Sequence, residues 1–139
     1  MKSTKRNIAR TLAVAGAVVA FSLPALAEDV MLSGKNEVPA VNSSAAGTGT
    51  VMVNADKSVT AKITVTGMTA TAAHIHMAAA GANGPVIVPF TKTGDNTFEA
   101  PAGAKMTDEQ YAAFKAGNTY VNVHSAANPG GEVRAQLKP

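Results

Sequence analysis

Residues 58–66 alternate without a break between two kinds of side chain, which restricts the fold more than any other stretch of the sequence. Val59, Ala61, Ile63 and Val65 fall on one side, and Ser58, Thr60, Lys62, Thr64 and Thr66 on the other. A period of two is that of a half-buried strand, not of a helix. The polar turn of Asn54, Ala55, Asp56 and Lys57 leads back to 49–53, so the two segments read as a hairpin. Further short runs rich in Val, Ile, Thr and aromatic residues lie at 30–33, 72–77, 86–90, 97–99, 120–124 and 132–137. Gly, Pro, Asn and Asp separate them at the spacing of strands in a sandwich or barrel. The pattern predicts an all-β fold, an antiparallel Greek-key-like β-sandwich of about eight strands, with loops over 34–46 and 78–85.

One segment departs from this rhythm. Thr107 followed by Asp108, Glu109 and Gln110 fits a capping box, and Gly117 stands where a glycine ends a helix. The spacing predicts one short helix, with Tyr111 and Phe114 on a shared face that anchors it to the sheet.

The N-terminus reads as an export signal. Lys2, Lys5, Arg6 and Arg10 precede an apolar run from Thr11 to Leu23, and Ala25 and Ala27 bracket a cleavage site. The apolar run is about 13 residues, short of the roughly 20 that cross a bilayer as a helix. Residues 1–27 are thus expected to leave as a signal peptide. That gives one domain over 28–139, periplasmic or secreted, with no membrane contact after cleavage. There is no cysteine to carry a lipid at that site, and no Arg-Arg pair, so the general secretory route is expected.

Removing the signal changes the charge. It takes four of the twelve Lys and Arg and none of the nine Asp and Glu, which leaves eight basic against nine acidic residues, net −1. With no basic cluster and only four Phe and two Tyr in the whole chain, nucleic acid is not an expected partner. The lack of cysteine also excludes a disulfide framework, a zinc ribbon and a thiol nucleophile.

Three histidines hold most of the chemical information. His74 and His76 flank Ile75 in a predicted strand, so both rings leave one face while Ile75 enters the core. His124 ends a segment in which Val121 and Val123 are apolar and Tyr120, Asn122 and His124 share the other face. Imidazoles two apart on a strand can meet one ion at about 2 Å, and a third from another strand completes a three-nitrogen site suited to copper or zinc. The same histidines could instead be exposed or hydrogen-bonded, with His124 distant in space. Met77 alternates onto the Ile75 face and is expected in the core. Glu37 and Glu132 are candidate supporting or fourth ligands, or solvated charges, with Arg134 a partner for the latter. Ser125 points away from His124, and no nucleophile elbow exists, so a hydrolase and catalytic residues are not expected.

Several ordered strings resemble the chordin domain family, CHRD. They are residues 32–39 from Leu32 to Pro39, 73–76 around His74 and His76, 84–86 from Gly84, 117–124 ending in His124, and 129–134 from Pro129 to Arg134. The resemblance spans about residues 30–137. It implies a secreted or periplasmic β-sandwich module, part of a morphogen-binding protein in animals and mostly without assigned activity in bacteria. Fold is better fixed by such likeness than function. His74, His76 and His124 all fall inside the shared strings, which favours a common metal site.

The expected function is an exported binding module holding copper, with zinc as the alternative, through His74, His76 and His124. Two other readings stand beside it: a mononuclear copper redox enzyme like superoxide dismutase, and a metal-free module that binds an unidentified protein or matrix. The dismutase likeness is limited to His-x-His on a sandwich strand. The bridging histidine, the further zinc ligands and the disulfide are missing.

Overall fold

The computed structural model describes residues 13–139, so the charged start of the expected signal, Lys2 to Arg10, lies outside the described residues. Nine strands and one helix follow in the order β1 (Leu26–Ser33), β2 (Ala46–Val53), β3 (Val59–Thr66), β4 (Ala70–Met77), β5 (Val86–Pro89), β6 (Thr91–Gly94), β7 (Thr97–Glu99), α1 (Asp108–Lys115), β8 (Thr119–Ser125) and β9 (Val133–Leu137). All neighbours pair antiparallel, in the single order β5-β4-β8-β9-β1-β2-β3-β7-β6. The two edges, β5 and β6, are consecutive in the chain. Phe90 between them donates its N–H to the Ala73 carbonyl on β4 at 3.0 Å. The sheet therefore curls until its ends nearly meet in a barrel-like shape, which leaves little unpaired edge.

The antiparallel all-β fold with one short helix is the one the alternation predicts, and each of the eight expected segments forms a strand. The additional strand is β6. Thr91, Lys92, Thr93 and Gly94 are all exposed, so no apolar period marks it. The two layers expected of a sandwich are opposite walls of one curled sheet. Val59, Ala61, Ile63 and Val65 point inward and their neighbours outward, as the sequence demands. They meet Ala73, Ile75, Val121, Val123, Val133 and Leu137 in one buried cluster, where each large aliphatic contributes about 1.5–3 kcal/mol.

Helix α1 starts and stops where its residues dictate. Thr107 Oγ1 accepts from the Gln110 N–H, and Gln110 Oε1 accepts from the Thr107 N–H at 2.9 Å. Gly117 takes φ +77°, donating to Phe114 O while the Asn118 N–H reaches Ala113 O, the two bonds of a Schellman stop. Phe114 is fully buried and Tyr111 packs beside it on the core, so the pair anchors the helix.

Strand β8 is covered on both sides. Val121 and Val123 face the core, while Tyr120 and Asn122 on the outer face are as deeply buried. Loops 34–45 and 78–85 fold over that outer face and tie to each other where Asn83 Nδ2 donates to the Val38 carbonyl at 2.8 Å. A polar surface enclosed in this way is where the histidines lie.

Candidate metal centre

Strands β4 and β8 pair with Ala72 opposite His124, His74 opposite Asn122 and His76 opposite Tyr120. On neighbouring strands, residues in register share a face, so His74, His76 and His124 all rise from the outer face. Ile75 between the first two is fully buried in the core. The chain thus brings together the three histidines that the sequence singles out. One nitrogen from each lies within 4.8 Å of the others.

The nitrogens are aimed by their neighbours. His76 Nδ1 is 2.9 Å from the Gly84 carbonyl, and His124 Nδ1 is 2.9 Å from the Pro129 carbonyl. A carbonyl only accepts, so each Nδ1 carries the proton and each Nε2 presents a lone pair. His74 Nδ1 lies 3.0 Å from His124 Nε2. Nitrogens at that separation can bind one ion at about 2.0–2.1 Å with an angle near 90° between them. His76 Nε2 is buried and has no hydrogen-bond partner, which leaves it free for an ion. The largest separation must close by about 0.6 Å to reach the roughly 4.2 Å that two such bonds span on opposite sides of a copper ion, and by about 1.4 Å to reach the roughly 3.4 Å of a tetrahedral zinc site.

Charge favours the ligating form. Burial, reinforced by His124 and then His76, lowers the His74 pKa to about 4. Burial also lowers that of His76, against the pull of the Gly84 carbonyl. Both rings are neutral at physiological pH, the state a metal requires.

The surroundings hold these rings in place. Tyr120 stacks on His76 with centroids 4.8 Å apart and planes within 2°. The Arg134 guanidinium lies 3.4 Å over the Tyr120 ring and donates to the Ala82 carbonyl at 2.7 Å and to Asn83 Oδ1 at 3.1 Å. Gly84, whose N–H reaches the Tyr120 hydroxyl, sits so close to the Met77 carbonyl that a Cβ there would collide with it. Only glycine lets the loop carry its carbonyl to His76.

The carboxylates take different places. Glu132 accepts from the Ser43 hydroxyl at 2.8 Å and forms no ion pair with Arg134 among the described residues. Glu37 is 6% exposed, so it is not a solvated charge. Burial raises its pKa against the pull of the Arg134 guanidinium and the Asn122 amide. Among the described residues no carboxylate joins the histidine cluster. Met77, expected in the core, is half-buried at the end of β4 because the chain leaves the sheet there for loop 78–85. Ser125 is buried on the core side, where its hydroxyl accepts from the Asn128 N–H at 3.0 Å and holds the turn that carries Pro129. The sequence gives no sign that Glu37, Tyr120 and Arg134 are buried together, because that depends on two loops folding over the sheet.

Residues 29–137 match the CHRD domain. No curated protein and no solved structure gives a significant match to the chain.

Proposed function

The chain belongs to the CHRD domain family, and we propose that it is an exported module whose His74, His76 and His124 hold one copper or zinc ion. The observation that carries this reading is the convergence of three imidazole nitrogens from two strands, two of them oriented by carbonyls behind them. Such backing hydrogen bonds fix tautomer and ring direction at metal sites. An all-nitrogen set suits copper and zinc, whereas magnesium and calcium take oxygen.

Export is supported by the segment before the sheet. Val14, Val18, Val19, Phe21 and Leu23 are each at least 68% exposed, so this apolar run contributes nothing to the core, and among the described residues no helix is long and apolar enough to cross a membrane.

Titration of the purified protein with Zn(II) and Cu(II) against a competing chelator tests the site. One ion per chain is expected, with tight binding lost in His74→Ala, His76→Ala and His124→Ala. Thr64→Ala, exposed on β3, should bind as the parent does. His124 is the sharpest probe, since it lies 50 residues from His74 in sequence and matters only if the strands meet around an ion. A His124→Ala protein that binds like the parent rules out the three-histidine site.

A further inference from the structure

We propose, on the reading that the three histidines hold one ion, that Asn122 Oδ1 is its fourth ligand and that the chain thereby closes the coordination shell itself. Asn122 lies opposite His74 in the β4–β8 ladder and two residues before His124, so its side chain rises from the same face. It is 1% exposed. Its amide lies beside the His76 ring, close enough to act on the protonation of that ring, while Asn122 Oδ1 and His76 Nε2 each have no hydrogen-bond partner.

The orientation of the amide follows from Gly131. A Cβ at that glycine would stand 2.5 Å from both Asn122 Nδ2 and Glu37 Oε1, so the NH2 end of the amide and the carboxylate crowd into the space the glycine leaves. The NH2 end thus lies on the Glu37 side of the amide, where it helps to lower the Glu37 pKa, and Oδ1 is turned the other way. Oδ1 is buried without a partner, and so is His76 Nε2. Because His76 donates through Nδ1 to Gly84, Nε2 offers a lone pair, as does the amide oxygen. Two desolvated acceptors side by side each cost about 1–3 kcal/mol and cannot satisfy one another. A cation between them satisfies both.

The consequence separates two classes of function. Sites that only hold an ion are filled by protein ligands, whereas catalytic ones keep a position open for water or substrate. Three imidazoles and an amide oxygen fill a four-coordinate shell. The hard oxygen also favours Cu(II) or Zn(II) over Cu(I), which prefers soft thioether and thiolate donors. The site is then one for holding a divalent ion, with all four of its nearest positions taken by the chain rather than by water or substrate.

The test uses the purified protein loaded with Cu(II) for electron paramagnetic resonance, and chelator competition for Zn(II) affinity. Asn122→Ala should lower Zn(II) affinity about 10–100-fold and shift the Cu(II) hyperfine coupling as water replaces the amide. Asn122→Asp keeps an oxygen at the same place, so it should restore tight binding with a different Cu(II) spectrum. If Asn122→Ala does not fold, Asn122→Asp decides alone, and a spectrum identical to the parent's overturns the assignment. An Asn122→Ala protein with the parent's Cu(II) spectrum also overturns it, even at reduced affinity, because Asn122 then only orients its neighbours. A parent that binds no better than His124→Ala removes the three-histidine site and this proposal together. A tight-binding parent with an unchanged Asn122→Ala spectrum removes the fourth ligand alone.

Discussion

Acid should weaken the metal-free fold through His74 in particular, and the size of the effect can be worked from its surroundings. In the unfolded chain this ring takes a proton near pH 6.5. In the fold, burial and the two neighbouring histidines hold its pKa at about 4. Between those values the unfolded state binds a proton that the folded state refuses, so stability falls as pH falls. There is no penalty at neutral pH; it grows as pH drops through 6.5 and levels off below about 4. For a fully buried ring the span corresponds to about 3.4 kcal/mol. His74 is half-buried, and solvent screening reduces this to on the order of 1–2 kcal/mol. Glu37 acts in the opposite sense, since burial raises its pKa and its protonation favours the fold as pH drops. Comparison with His74→Asn removes that contribution, because Glu37 is common to both proteins. Urea unfolding with a chelator present, at about pH 7 and about pH 4.5, should show the parent losing about 1–2 kcal/mol more than the variant. Equal losses in the two proteins would refute the buried neutral imidazole.

Protein recovered from outside the cytoplasm should begin at Glu28 by intact-mass measurement. Cleavage there leaves the β1–β2 pairs from Glu28 with Val51 to Ser33 with Ala46 in place, and a species that retains residues 1–27 contradicts the signal reading. Gly84→Ala should lower Zn(II) affinity about 10–100-fold and stability by about 1–3 kcal/mol, because the new methyl displaces the carbonyl that orients His76. Parent-like titration and urea curves for Gly84→Ala would show that the loop does not position the ring.

The sequence made local features legible and left long-range ones obscure, for reasons visible at particular residues. The faces of β3, the shared side of His74 and His76, and both ends of α1 follow from periods and caps that need only a few neighbours. Strand β6 has no apolar face, so nothing in 91–94 announces it. Parity puts His124 on a polar face, but its meeting with His74 depends on the β4–β8 register, which no local pattern specifies. Burial of Glu37 and Arg134 is the least legible of all. Both are charged residues in an ordinary setting by sequence, and they are enclosed because Asn36 donates to the Arg134 carbonyl while Arg134 itself reaches Ala82 and Asn83. These contacts join segments 51 to 98 residues apart.

The cost of that enclosure explains why the centre lies where it does. Among the described residues, five buried side-chain polar atoms have no partner, and three of them belong to Glu37, His76 and Asn122, of which Asn122 neighbours both others. Folded chains satisfy nearly all such groups, because each one left unpaired destabilises by about 1–3 kcal/mol. Covering the outer face of β8 with two loops is therefore unfavourable at this spot unless something supplies a positive partner. Arg134 does so for part of it, lying near enough to offset the Glu37 carboxyl, but its guanidinium is committed to Tyr120 and to loop 78–85. The remaining lone pairs on His76 and Asn122 are those a divalent ion would take. An ion that binds only the folded state stabilises it by about 2.7 kcal/mol at a hundred times its dissociation constant, comparable to what the unpaired groups cost. On this account, the loops and the ion depend on each other: the loops take His76 Nε2 and Asn122 Oδ1 out of water, and the ion makes that burial tolerable.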